Sequence, residues 1–132
     1  MARRLILDSN LLIDYERGRV DQAVFDDDDL AIASLTVAEY RTGIELADTA
    51  ERAAARSRVL AVIVENVEVL DYTQATAAHH ARLIAHSRRT GRPKGAHDLI
   101  LAAHAAQTGR ILVSRESSAR FGGLPGVTAE GL

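Results

Sequence analysis

Hydrophobic residues recur along the chain in short runs that longer amphipathic stretches separate. The runs predict strands at residues 4–8, 30–34, 67–71 and 110–114, with a short last strand near Val127. The stretches between them predict helices at residues 10–16, 20–25, 36–48, 51–64, 73–90 and 96–108. Strands that alternate with helices favour parallel pairing through crossover connections. The pattern therefore predicts an α/β fold.

The composition is that of an ordinary globular protein. The chain has 132 residues, of which 47% are hydrophobic and 26% are charged. No linker or repeat interrupts it, so we expect residues 1–132 to form a single domain. No run approaches the roughly 18 apolar residues of a membrane span, and the N-terminus lacks a signal-peptide pattern, so the expected location is the cytoplasm. The absence of cysteine excludes disulfides, thiolate metal sites and a cysteine nucleophile.

The formal net charge of -2 conceals an uneven distribution of charge. The run Asp26 to Asp29 is predicted to be a solvated turn. Most of the basic residues of the second half form a group that predicts a local basic rim, namely Arg88, Arg89, Arg92, Lys94, Arg110, Arg115 and Arg120. The overall charge gives no argument for a general nucleic-acid binder.

Acidic residues follow each of the four main predicted strands. Asp8 ends the first strand, Glu39 lies one helical turn after the second, Asp71 ends the third, and Glu116 follows the fourth. Asp98 lies in the first turn of the last predicted helix. Ligands of open parallel sheets bind beyond the carboxyl ends of the strands, so we expect several of these acids to converge. Converging carboxylates repel one another unless a divalent cation neutralises them, and an all-oxygen site suits Mg²⁺ or Mn²⁺.

Each acid also has a purely structural explanation. Asp8 has the position of a helix N-cap. Thr36 and Glu39 have the spacing of a capping box, which by itself is the better explanation of Glu39. Asp98 suits a helix N-terminus because of the helix dipole. Asp71 is best explained by a strand-to-helix turn. For the other acids, the functional interpretation depends on whether their side chains converge in the folded protein.

Four segments occur in a characteristic order between about residues 5 and 127: LILDSNLLIDYERG, ASLTVAEYRTGIE, GRPKGAHDLILAAHA and LVSRESSARFGGLPGV. Together they resemble the PIN-domain ribonucleases, in particular the VapC-like toxins of bacterial toxin-antitoxin pairs. The resemblance implies a PIN-like α/β/α sandwich with a short, mostly parallel central sheet. It also implies a magnesium or manganese site (Mg²⁺ or Mn²⁺) whose catalytic and metal-binding residues are Asp8, Glu39, Asp98 and Glu116.

The segment Ser114-Arg115-Glu116 departs from the family pattern, which usually has Thr-x-Asp or Thr-x-Asn at this place. Glu116 is one methylene longer than aspartate, so direct binding and binding through water both stay open. The Ser114 hydroxyl is expected to orient a carboxylate. The resemblance further implies that Asn10 holds the site in shape and that Ser9 caps the helix or donates to the site.

The resemblance implies endonucleolytic cleavage of RNA by a metal-activated water, as the toxin of a VapBC-type pair. Arg92, Lys94 and Arg115 are candidate phosphate contacts, although ordinary surface charge explains them equally well. A VapB-like antitoxin and a homodimer are the implied partners, with no membrane. The candidate partner surface is an apolar stripe that core packing explains equally well, namely Tyr40, Ile44, Val59, Leu60, Val62 and Ile63.

Two other functions stay open. A PIN fold that has lost catalysis would serve as an RNA- or protein-binding adaptor, and the departure at Glu116 supports it. A phosphorylated receiver domain would also gather acids at strand ends, but it needs a lysine after a late strand, whereas Lys94 precedes a helix. His97 is next to Asp98 in the sequence, yet successive helical residues point about 100° apart, so it is predicted to face away from the site.

Overall fold

The computed structural model describes residues 2–132, apart from the side chains of residues 16 and 22. In this part of the chain one sheet forms from five parallel strands, β1 (Arg4–Leu7), β2 (Asp29–Ala33), β3 (Glu68–Leu70), β4 (Ile111–Ser114) and β5 (Ala129–Gly131). Their order is β3-β2-β1-β4-β5, so β1 is central. All carboxyl ends of the strands therefore meet at one edge of the sheet.

Helices cover both faces of this sheet. They are α1 (Ser9–Glu16), α2 (Ser34–Glu45), α3 (Ala50–Asn66), α4 (Gln74–Thr90), α5 (Ala96–Thr108) and α6 (Ser117–Phe121), with a 3₁₀ helix at Gln22–Phe25. Side chains alternate along β1, so Leu5 and Leu7 pack into one core cluster and Ile6 into the other. The predicted α/β/α sandwich is therefore confirmed, and its sheet is entirely parallel. None of the helices within residues 2–132 has the length and hydrophobicity to span a membrane.

Three local predictions differ from the structure. The last strand begins at Ala129, two residues after Val127, and the helix predicted at 20–25 is only a 3₁₀ turn. Helix α6 lies between the predicted strand at 110–114 and Val127, where no helix was predicted. Gly109, in contrast, ends α5 with a φ of 67°, as expected for a C-terminal cap. The alternation of strands and helices in the sequence was therefore enough to predict the fold. The short elements could not be predicted in the same way, because they depend on tertiary contacts.

Helix α2 starts earlier than predicted, and this changes the interpretation of Glu39. The helix begins at Ser34, directly after β2, and the Ser34 hydroxyl donates to the carbonyl of Leu70, 3.2 Å away. Thr36 therefore lies inside the first turn, where it is buried and its hydroxyl has no hydrogen-bond partner among the described residues. The capping-box interpretation of Thr36 and Glu39 is wrong, and the Glu39 side chain is free for another role.

Arg110 does not belong to a basic rim. Its side chain is 1% exposed and lies at the amino-terminal edge of the sheet. One nitrogen donates to the carbonyls of Leu5 (3.1 Å) and Asp29 (3.2 Å), and another donates to the Glu68 carboxylate (2.7 Å). These acceptors belong to β1, β2 and β3, so one side chain next to β4 connects four strands.

The aspartate run is also more structured than a solvated turn. Asp28 forms an ion pair with Arg3, with 2.9 Å between the Nη2 and Oδ2 atoms, and Asp29 opens β2. The predicted apolar stripe of α3 divides as well, because Leu60 and Ile63 are buried in the core whereas Val59 and Val62 are exposed. Only the exposed pair remains available to a partner.

His104 is a buried histidine of α5 for which no role was predicted from the sequence. Neither ring nitrogen has a hydrogen-bond partner among the described residues, and the ring packs edge-on against Tyr72 with centroids 6.3 Å apart. Burial lowers the pKa of His104 below its ordinary value of 6.5; the negative charge of Asp71 opposes this shift and His80 adds to it. The imidazole is therefore neutral in the folded protein.

The lowered pKa of His104 predicts a loss of stability in mild acid. Below about pH 6.5 the unfolded chain binds a proton at this residue more readily than the folded chain does, so the free energy of unfolding decreases as the pH is lowered. We expect His104→Leu to flatten that fall between about pH 7 and pH 5 in urea unfolding. His97→Leu controls for the loss of an exposed imidazole. Equal slopes for the wild type and His104→Leu would contradict the prediction.

Candidate active site

Asp8 and Ser114 lie side by side at the carboxyl edge of the sheet. Asp8 follows β1 and Ser114 ends β4, and these strands pair through Leu7 and Val113. Asp8 is 1% exposed, and its Oδ2 atom accepts a hydrogen bond from the Ser114 hydroxyl at 2.7 Å. The parallel pairing therefore places a hydroxyl donor beside a buried carboxylate.

Asp8 also caps α1, so its structural explanation is confirmed. Its Oδ1 atom accepts from the Leu11 amide at 2.8 Å, while Oδ2 is directed to Ser114. Ser9 is not the cap. Its hydroxyl instead donates to the Glu39 Oε1 atom at 3.0 Å, which brings α2 to the same edge of the sheet.

Glu39 lies at the rim of this site. Its side chain is partly exposed, and the Nδ1 atom of His97 is 3.8 Å from its Oε2 atom. The prediction that His97 faces away from the site is therefore wrong. The contact arises because α5 begins opposite the second turn of α2, and it connects Glu39 to the helix that carries Asp98.

Asp98 lies in the first turn of α5, where the helix dipole favours an acid. Gly95 precedes it as the N-cap, and a Cβ atom at this glycine would lie 3.2 Å from the Oδ2 atom of Asp98. A side chain at residue 95 would therefore crowd the Asp98 carboxylate. Its Oδ1 atom accepts hydrogen bonds from the Nη2 and Nε atoms of Arg120, the latter at 3.1 Å.

Arg120 is the centre of the arrangement. Its Nη1 atom donates to the Oδ2 atom of Asp8 and, at 3.2 Å, to the Ser114 hydroxyl, while its other two nitrogens bind Asp98. The hydrogen bond to Asp98 raises the pKa of the Arg120 guanidinium above its ordinary value; burial opposes this shift and the charge of Asp8 supports it. The side chain is a permanent cation between two acids.

The remaining predicted site residues do not join this group. Glu116 is an exposed residue at the start of α6, and no hydrogen bond within residues 2–132 links its carboxylate to the other acids. Its backbone amide instead donates to the Ser114 hydroxyl at 3.3 Å. Asn10 is exposed in the first turn of α1, and Asp71 is exposed after β3. The structure thus brings together Asp8 and Asp98, with Glu39 next to them.

The three predicted RNA contacts have different surroundings. Arg92 is exposed, and its carbonyl accepts from the Ser87 hydroxyl at 2.7 Å. Lys94 donates to the carbonyl of Ala119 at 3.2 Å, which ties the loop before α5 to α6. The Nε atom of Arg115 lies 3.3 Å from the Asp14 carboxylate. Of the three side chains, only that of Arg92 has no hydrogen bond or ion pair with another described residue.

The donor set fits a hard divalent cation. It consists of carboxylate and hydroxyl oxygens, and two of the carboxylates already share one cation, the Arg120 guanidinium. No three acidic, histidine or cysteine side chains among the described residues lie close enough to hold one metal ion. The site is therefore a two-carboxylate centre with Glu39 adjacent, and not a preformed cage.

Arg120 is the site residue that sequence reasoning missed. It was grouped with the basic residues of the second half, and no local pattern pairs it with Asp8 or Asp98, which are distant in the chain. The only sequence signal for its inward position is weak: Arg120 lies one helical turn after Glu116 and precedes the apolar residue Phe121. A helix of only five residues carries little periodicity, so its burial could not be predicted.

Comparison with known proteins identifies the family. The model of the PIN domain family matches residues 5–120. A tRNA(fMet)-specific endonuclease VapC of Shigella flexneri is 36% identical over 97 residues, which are 72% of this chain and 71% of the relative. A second tRNA(fMet)-specific endonuclease VapC, of Salmonella typhimurium, is 33% identical over 76% of this chain and 74% of its own length.

A solved structure supports the same assignment. The crystal structure of DNA-bound VapBC from Salmonella typhimurium superposes with a TM-score of 0.84 at 28% identity, covering 99% of this chain and 98% of that one. The chain therefore belongs to the PIN-domain family, as one of its VapC-like members.

The hydrogen bond from Ser114 to the buried Asp8 carboxylate predicts a measurable effect on stability. We expect Ser114→Ala to lower the free energy of unfolding by roughly 1.5–3 kcal/mol, because hydrogen bonds to charged groups contribute that much. Urea unfolding followed by circular dichroism measures the change. Ser118→Ala, which removes an exposed hydroxyl from α6, is the matched control. Equal stability of the two variants would contradict a role for Ser114 in holding Asp8.

Proposed function

We propose that this protein is a metal-dependent endoribonuclease and the toxin of a VapBC-type toxin-antitoxin pair. The supporting observation is that Asp8 and Asp98, which are distant in the chain, converge on one cation at the carboxyl edge of the sheet. Glu39 lies next to them through Ser9 and His97. Membership of the PIN-domain family and the VapC ribonucleases among its relatives support the same reaction.

In the proposed reaction Asp8 and Asp98 would hold Mg²⁺ or Mn²⁺, and Glu39, at the rim of the site, would complete the set of acids. When bound, the ion would supply activation of water and neutralisation of charge on the phosphodiester. Ser114 keeps Asp8 oriented through its hydroxyl, and the Leu11 amide fixes the other carboxylate oxygen. Glu116 is exposed beside the site, where it is available to bind the ion directly or through water.

We infer that RNA passes over a basic pocket next to the site. This pocket of about 450 Å³ lies where α6 ends and is lined by His86, Thr90, Arg92, Lys94, Gly122, Gly123 and Leu124. Arg92 is exposed there and is the first candidate for a phosphate contact. The two relatives are named for tRNA(fMet), so this transfer RNA is the first substrate to test. An RNA substrate also implies action in the cytoplasm.

The proposed mechanism predicts the behaviour of two isosteric variants. Asp8→Asn and Asp98→Asn are expected to lower RNA cleavage in Mg²⁺ or Mn²⁺ by about a thousandfold, because each removes a charge on which several kcal/mol of transition-state stabilisation depend. Single-turnover cleavage of tRNA(fMet) measures the rates, and EDTA is expected to abolish cleavage by the wild type. Asparagine can still cap α1, so circular dichroism should show a folded chain.

Asp71→Asn is the matched control, because Asp71 is an exposed acid outside the site. Its cleavage rate should equal that of the wild type. Undiminished cleavage by both site variants would refute the mechanism. A folded wild type that binds RNA but cleaves none, across transfer, ribosomal and messenger RNA, would favour the adaptor instead.

Arg92 is expected to contribute to RNA binding through charge. Arg92→Gln should weaken binding about equally for different RNA sequences and should reduce the salt slope of the binding constant by about one. Fluorescence anisotropy at several salt concentrations measures both quantities with Asp98→Asn protein, which prevents cleavage. Arg52→Gln removes an exposed charge from α3 and is the control. A salt slope identical to that of the Arg52 variant would exclude a phosphate contact at Arg92.

We propose a VapB-like antitoxin as the partner, since VapBC complexes are structural neighbours of the chain. A groove of about 500 Å³ between α1, α2 and α3 suits an apolar segment, and it includes Tyr40, Val59 and the rim residue Glu39. The exposed Val62 lies on the same helix as Val59. By analogy with the family, we also propose that the protein forms a homodimer. We further propose that residues 1–132 form a single PIN domain.

A catalytically impaired adaptor is the second candidate function. The departure at Glu116 and the guanidinium that already binds Asp8 and Asp98 both favour it. An adaptor would keep the basic pocket and the groove while losing the metal. The variants described above distinguish the two candidates, since only the nuclease depends on the Asp8 and Asp98 charges.

A further inference from the structure

The two acids at the centre of the site are joined by a cation of the chain itself. Arg120 uses separate nitrogens for Asp8 and Asp98, so it forms a bridge and not two alternative pairs. Asp8 is buried, and the side chains of Asp98 and Arg120 are 18% and 24% exposed. The bridge is therefore largely shielded from water but partly accessible.

The short helix α6 holds Arg120 in this position. Phe121 is buried in the core, and the Arg120 guanidinium lies 4.9 Å from the centre of its ring. The Arg120 amide donates to the carbonyl of Glu116 at 3.0 Å. A Cβ atom at Gly122 would lie 2.5 Å from the Ser118 carbonyl oxygen, so only glycine permits this tight end of the helix. The geometry of the bridge is thus built into the fold.

The bridge and a metal ion would compete for the same two carboxylates. Arg120 binds the Oδ2 atom of Asp8 and the Oδ1 atom of Asp98, and a divalent ion between these carboxylates would meet a positive charge at hydrogen-bond distance from both. Two cations at such a short separation repel strongly in a partly buried site. Arginine stays protonated near neutral pH, so it cannot make room by losing its charge.

We propose that Arg120 is a positioning residue that holds Asp8 and Asp98 in the absence of metal, and that a divalent cation must displace its guanidinium to bind there. The proposal rests on the proposed function in taking these two acids as metal ligands. Without Arg120, the metal-free protein would bury the Asp8 carboxylate with only the Ser114 hydroxyl and the Leu11 amide as partners. Arg120 therefore stabilises the metal-free protein and weakens metal binding through the same contacts.

The first test compares metal affinity in four proteins stripped with EDTA: wild type, Arg120→Gln, Arg120→Lys and Arg115→Gln. Titration calorimetry with MnCl₂ is expected to show binding to Arg120→Gln about tenfold tighter than to the wild type, as for a typical coupling between two sites. Lysine keeps the charge but cannot form the forked bridge, so Arg120→Lys should lie in between. Arg115→Gln loses an equal charge near the site without touching either acid, and should match the wild type.

A second measurement keeps the proposal testable if Arg120→Gln is destabilised. In EDTA its Tm is expected to be lower than that of the wild type, and MnCl₂ should raise it by more than it raises the wild-type Tm. A purely structural role of Arg120 would leave the gain from metal unchanged. In the wild type, the NMR signal of the Arg120 Nε–H group should shift and lose protection from exchange as MgCl₂ is added.

Two results would overturn the inference: an Arg120→Gln affinity for Mn²⁺ no higher than that of the wild type, or an Arg120 Nε–H signal unchanged at saturating Mg²⁺. These measurements use no RNA, so their outcome is read separately from that of the cleavage assay. Tighter metal binding by the variant without any RNA cleavage would uphold the role of Arg120 and reject the nuclease. RNA cleavage that depends on Asp8 and Asp98, together with a metal affinity that Arg120 does not change, would support the nuclease and reject the role of Arg120.

Discussion

A carboxylate that is almost completely shielded from water needs hydrogen-bond donors or a cation, and Asp8 obtains both from three separate elements. The Leu11 amide comes from α1, the Ser114 hydroxyl from β4 and the guanidinium of Arg120 from α6. Burying one charge at the end of the central strand therefore fixes how these elements meet. Asp98 joins through the same arginine, and Glu39 through Ser9, the residue next to Asp8.

Much of this arrangement could be predicted from the sequence, because both faces of a parallel sheet are buried and its strands appear as apolar runs. The carboxyl-edge rule then gave Asp8, Glu39 and Asp98 as candidates together with Asp71 and Glu116, and the family resemblance set Asp71 aside. Local spacing misled for Glu39, since Thr36 and Glu39 match a capping box that never forms. The start of α2 is set instead by a tertiary contact between Ser34 and Leu70, which no local pattern contains.

The bridge at Arg120 lay beyond sequence reasoning for a related physical reason. An isolated five-residue helix is unstable in water, so α6 exists because Phe121 is buried and Lys94 binds the Ala119 carbonyl. The same packing directs Arg120 inward while Glu116 remains exposed. A centre expected to gather four carboxylates thus contains two of them around a guanidinium, with Glu39 at its rim. Glu116 contacts this centre only through its backbone amide, which donates to the Ser114 hydroxyl, while its carboxylate stays exposed.

Arg110 and Arg120 lie at opposite edges of one sheet. Arg110 joins strands, whereas Arg120 binds the acids of the candidate site. Arg110 joins the amino-terminal ends of the strands through contacts that involve none of the site residues. Substitutions at the carboxyl edge therefore leave the Arg110 contacts in place. A descendant of such a chain that lost its carboxyl-edge acids would thus still have four strands joined at the other edge.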